Sequence, residues 1–196
     1  MKKLIVPIVV CVSLLLSVAA HAQQMDAAVG FGTLGSPSAA SASGSYTPQA
    51  IRGGLYPNFS ADFLIKRTFG VSGELAWRGS QGFYQPAAVN FRPMVWDFNG
   101  IWLPTVSKRF APEVSAGIGA ETLHFYVAPS CGTNCQNYVS TNHFLGHVGA
   151  GVRYYVKGGF FVRPEAHFYA VRNNVEFSSP YFARYGVSVG YTLGGR

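Results

Sequence analysis

Apolar and polar residues alternate in eight separate runs along this chain. The first is Asp26 to Gly32, with Ala27, Val29 and Phe31 on one face. The second, Leu55 to Ile65, sets Leu55, Pro57, Phe59, Ala61, Phe63 and Ile65 against Tyr56, Asn58, Ser60 and Asp62. The third is Phe69 to Arg78, the fourth Phe91 to Trp102 and the fifth Glu113 to Phe125. The sixth is Phe144 to Val156, the seventh Phe160 to Ala170 and the eighth Phe182 to Leu193. A period of two predicts half-buried β-strands, and turn-forming residues punctuate every junction. The connections themselves alternate. Lys66-Arg67-Thr68, Pro104 to Arg109 and Lys157-Gly158-Gly159 are short turns. Thr33 to Ala50, Gly79 to Ala88, Val127 to Asn142 and Arg172 to Tyr181 are longer polar loops, the first of them without a charge. Leu64, Leu123 and Phe161 break strict alternation near strand ends.

Residues 1–22 read differently. Lys2 and Lys3 precede an apolar run from Leu4 to Val18, and Ala19-Ala20-His21-Ala22 ends it with small residues. This is the layout of a secretory signal peptide cleaved after Ala22. The domain division is therefore 1–22 signal peptide and 23–196 a single β domain. Removing Lys2 and Lys3 lowers the formal charge from +7 to +5. Basic residues are scattered, and export takes the chain away from nucleic acid, so no nucleic-acid partner is expected. Cys131 and Cys135 remain after processing, and an oxidising compartment favours a disulfide between them. They offer too few ligands for zinc, and no cofactor or metal is expected.

Two all-β architectures share this periodicity. A lipocalin-like secreted carrier turns its apolar face inward, and a membrane barrel turns it outward. Three features favour the membrane. Aromatics stand towards the ends of the apolar faces, where lipid headgroups meet a barrel: Phe69, Trp77, Trp96, Trp102, Tyr154, Tyr185 and Tyr191. The polar faces carry Gly and Ser beside a few charges, which suits a crowded interior better than a water-facing wall. The runs also match the roughly 9–11 residues a tilted strand needs to cross a bilayer.

The charges then point inward. Asp62, Glu74, Arg78, Asp97, Glu113, Glu121, Arg153, Arg163, Glu165 and Arg184 all fall on polar faces. One arginine facing lipid at the midplane costs about 2–4 kcal/mol. Several together would exceed a domain's net stability of about 5–15 kcal/mol. Buried charges must pair, so these residues are expected to form one lumen ion-pair network, with Glu121 higher up than the other acids. An even strand count puts both termini on one side, the periplasm, with the long loops outside.

The alanine-terminated leader, the eight amphipathic runs and the final Tyr185-x-Val187-x-Val189-x-Tyr191 strand resemble the small outer-membrane barrels of the OmpA transmembrane-domain and OmpX class. The resemblance implies an eight-stranded antiparallel up-and-down transmembrane β-barrel. It further implies outer-membrane lipids as surroundings and the barrel assembly machinery as a partner in biogenesis. After the last strand no peptidoglycan-binding domain is expected.

Catalytic chemistry is sparse. Some barrels of this size modify lipid A, and the deacylase type carries a His-x-Ser pair. His124, His143, His147 and His167 are all followed by other residues at that spacing. Glu113 and Glu121 are about 26 Å apart along one strand, too far to flank one bond. Glu165 and His167 share a face, with no nucleophile implied. The expectation is a non-enzymatic barrel with a packed lumen, working structurally or as an adhesin-like surface protein through its loops. A narrow gated channel is the alternative, and a lipid A-modifying enzyme or a soluble carrier comes after it.

Overall fold

The computed structural model describes residues 24–37, 49–66, 68–127 and 137–194. The expected signal peptide, Cys131 and Cys135 lie outside the described residues. The strands are β1 (Gln24–Gly35), β2 (Tyr56–Lys66), β3 (Phe69–Trp77), β4 (Gly82–Tyr84), β5 (Val89–Trp102), β6 (Phe110–Tyr126), β7 (Tyr138–Lys157), β8 (Phe160–Val171) and β9 (Tyr181–Leu193). Each pairs antiparallel with its neighbours. β3 pairs directly with β5, and β9 returns to β1, so eight strands close into a barrel. The short β4 is a side hairpin on β5. No helix among the described residues is long and apolar enough to cross a membrane.

All eight expected runs are strands, and most extend further at the loop edge. The largest change is in the third long loop. The sequence pattern assigns Tyr138 to Asn142 to it, yet these residues pair with Thr122 to Tyr126 and lengthen the β6–β7 hairpin. Tyr, Val and Thr in that stretch suit a pleated surface, whatever the polarity around them. Arg78, expected to end the third strand, lies one residue beyond it.

The outward face is apolar. Val29, Phe59, Phe98, Ile118, Val148, Phe168 and Val189 are each more than 40 % exposed. The inward face is polar at mid-height and apolar at both ends. At the short-turn end Leu64, Ile101, Leu103, Ala111, Tyr155 and Phe161 form one cluster. At the loop end Ile51, Tyr84, Phe91, Leu123, Tyr169 and Phe182 belong to a second. Leu64, Leu123 and Phe161 are thus no breaks in alternation. They are inward positions, fully buried, where the lumen changes from polar to greasy.

The loops seal the outer cluster. The Gln49 side chain donates to the Phe83 carbonyl and accepts from the Gln85 amide, at 3.1 and 2.9 Å. Tyr84 Oη donates to the Glu176 carbonyl at 2.6 Å. Glycine has a specific duty between β5 and β6. A Cβ at Gly119 would stand 2.0 Å from the Trp96 carbonyl oxygen, so only glycine permits this approach.

Candidate functional site

The middle of the lumen is an ionic cluster organised by three arginines, each fully or almost fully buried. Inward alternation on β7 delivers Arg153. Its guanidinium reaches three strands: Nε donates to Glu113 on β6 at 2.5 Å, Nη2 to Asp62 on β2 at 2.7 Å, and Nη1 to Asp26 on β1. It also lies over the Phe161 ring, 4.9 Å from its centre, which joins it to the lower apolar cluster. Arg163 on β8 donates to Glu165 at 2.8 Å, to Glu113 at 3.0 Å and to Ser60 at 2.9 Å. Arg184 on β9 pairs with Glu74 on β3 and with Glu165 at 3.3 Å. Planar guanidinium groups with several donors suit this bridging, which a lysine ammonium performs less well.

Neutral groups complete the network. Asn58 Nδ2 donates to Glu165 at 2.7 Å, and Ser72 Oγ donates to Asp62. His147 and His167 meet through Nε2 and Nδ1 at 2.8 Å with their rings stacked, and His147 Nδ1 meets Asn99 Oδ1 at 2.7 Å. His167 lies 3.7 Å from Glu165, so the two neighbours on one face are in contact. Glu74, Glu165 and His167 bring possible ligand atoms within 4.8 Å of one another. The cation between Glu74 and Glu165 is the guanidinium of Arg184.

Seven of the ten residues expected in one network are joined: Asp62, Glu74, Glu113, Arg153, Arg163, Glu165 and Arg184. Three are placed otherwise. Asp97 is buried in the lumen with no arginine within ion-pair reach among the described residues, and it accepts from Asn99. Glu121 sits higher, beside Asn174 at 3.5 Å. Arg78 leaves the ionic layer and lies over the Phe91 ring at 5.4 Å. Place along a strand gives height coarsely, which already sets Glu121 above the other acids, but it does not give the partner across the lumen. Asp26 is the member that the sequence reading missed. It lies on the polar face of the first run, and that position was the available signal. His124 and His143 lie on opposite faces of the β6–β7 wall. His143 turns inward to Glu176 at 3.1 Å, while His124 packs outward against Tyr138.

The aromatics form two bands. Phe69 pairs with Trp102 and Tyr154 with Phe110, while Tyr191 pairs with Phe160, all at the short-turn edge. Trp77 ends β3 at the loop edge, where Tyr185 also stands opposite Thr33. Trp96 is opposite Leu75, two positions short of that edge.

A closed eight-stranded barrel with apolar side chains outward, an ionic centre and aromatic bands has the fold of small outer-membrane β-barrels. No family model and no curated protein matches the chain. Solved structures do. Neisserial surface protein A is 11% identical, with a TM-score of 0.58 over 86% of this chain and 95% of that one. The attachment invasion locus protein Ail of Yersinia pestis, in complex with the heparin analogue sucrose octasulfate, is 10% identical, with a TM-score of 0.55 over 87% of this chain and 98% of that one. The N-terminal β-barrel domain of Pseudomonas aeruginosa OprF is 14% identical, with a TM-score of 0.54 over 88% and 99%.

Proposed function

We propose that this chain is exported by a signal peptide at residues 1–22, spans the outer membrane as a closed barrel, and acts through its outer surface rather than through a pore. The observation that carries this reading is the double seal of the lumen. An ionic layer fills the middle, and an apolar cluster closes each end. An eight-stranded barrel encloses little more than its own side chains, so water has no continuous route along the axis. What remains available for work is the loop face, with both termini and the short basic turns towards the periplasm.

That outer face has a charge bias. Arg52 and Arg172 are exposed on it, while Glu176 is the one carboxylate there among the described residues and is paired with His143. An anionic partner suits this surface, a sulfated or phosphorylated glycan being the simplest class. The complex of Ail with a heparin analogue is a precedent within the fold, not within the sequence. The role is an adhesin-like or structural one, with no catalysis assigned.

Planar-bilayer recording tests the seal. The refolded protein should show no steady conductance of porin size, and a sustained open level would replace this reading with the channel one. Binding of heparin to cells displaying the protein tests the surface. Arg52→Ala with Arg172→Ala should weaken capture several-fold and leave barrel folding unchanged.

A further inference from the structure

One stretch of the outer wall is polar where the rest of it is greasy. On β5 the inward positions are Phe91, Pro93 and Val95, so Arg92 points out of the barrel. Across the sheet it pairs with His124 on β6, which pairs with Ser140 on β7. Tyr138 packs edge-on to His124, with ring centres 5.0 Å apart. Arg92 forms no ion pair among the described residues, and its Nε is buried without a hydrogen-bond partner. A shielded guanidinium nitrogen in that state is a donor lacking an acceptor.

Directly below this row the wall is indented. A groove of about 430 Å³ is lined by Trp96, Phe98, Ile118, Ala120 and Phe144, with Asn142 at its upper edge. Trp96 is four residues from Arg92, about 13 Å along the strand at 3.3 Å per residue. With the strands tilted by roughly 40°, that is about 10 Å along the membrane normal, from the acyl boundary where a girdle tryptophan sits into the headgroup layer. No carboxylate opposes an anion here. Of the eight acids in the chain, seven are buried in the lumen and the eighth, Glu176, is paired with His143.

We infer that the outward face of β5–β7 holds a phosphorylated lipid of the outer leaflet. One acyl chain lies in the Trp96–Phe144 groove, and the phosphate rests on Arg92 and His124. The site is independent of any loop ligand and rests only on the barrel being embedded in lipid.

The test uses quenching of Trp96 by brominated acyl chains. The full chain, with Trp77→Phe and Trp102→Phe, is refolded into detergent micelles. Brominated phosphatidic acid or brominated phosphatidylcholine is then added. The acid should quench at a mole fraction on the order of tenfold lower, the size expected for a charge-assisted hydrogen bond to phosphate. Inorganic phosphate should not compete, because it lacks the chain that fills the groove. Arg92→Ala should abolish the preference. Ser140→Asp, an exposed change that leaves the interior alone, should abolish it by placing a carboxylate beside His124. Equal quenching by both lipids, or a preference that survives Arg92→Ala and Ser140→Asp, overturns the site. Absence of quenching by either lipid overturns the embedding of the barrel as well.

Discussion

Replacing Arg153 by alanine will cost the barrel about 3–5 kcal/mol, the usual consequence of removing one partner from a buried ion pair. Three carboxylates lose a donor at once, on β1, β2 and β6. Asp26 and Asp62 are fully buried and Glu113 nearly so, between the apolar clusters above and below. The seam between β1 and β9 suffers too, since Asp26 on β1 is held from across the lumen by this guanidinium. The loss is a large part of a typical net stability of about 5–15 kcal/mol. Urea unfolding in micelles, followed by the gel shift of unheated protein, measures it. Lysine at this position should recover only part of the loss, because an ammonium cannot reproduce the planar fork. An Arg153→Ala barrel unfolding at the native urea midpoint would mean that the network contributes nothing to stability.

The second large effect is on the opposite face. Val148→Arg will destabilise the folded protein by about 2–4 kcal/mol in lipid vesicles. Val148 is 52% exposed at mid-strand, between Ala116 and Phe168 on the neighbouring strands. If this same outward face met water instead of lipid, the change would fall within roughly 0.5 kcal/mol of neutral, as surface substitutions do. The size of this one number therefore reports whether the outward face of β7 meets lipid or water. Folding titrations in vesicles, read by tryptophan fluorescence, supply it.

These two residues also mark how far the sequence could be read. A period of two assigns faces without reference to neighbours, so Arg153 in and Val148 out were both legible. What it omits is distance across the lumen. Asp26 and Arg153 are 127 positions apart in sequence, and nothing local to either announces the pair. Height is given only coarsely, enough to set Glu121 above the other acids but not to name its neighbours. Asp97, Glu121 and Arg78 share the polar face with the network residues, yet Arg78 stacks on Phe91 near the loop edge and Glu121 reaches Asn174. Leu64 and Phe161 misled in a more instructive way. Reading a membrane barrel as uniformly polar inside makes an inward leucine look like a slip of register, whereas the end of a narrow lumen is a small hydrophobic core. The length of the β6–β7 hairpin was hidden because Ser140, Thr141 and Asn142 have loop-like polarity in a stretch whose backbone is paired.

The concealment of nearly all the acids has a practical corollary for digestion. An endoproteinase specific for glutamate would find one accessible target on the folded molecule among the described residues, the partly exposed Glu176. A trypsin-like enzyme would find exposed cleavage points at both rims, at Arg52 and Arg172 on one side and Lys66, Arg109 and Lys157 on the other. Only unfolding restores the balance, so the ratio of the two fragment patterns reports how much of a preparation has closed into a barrel.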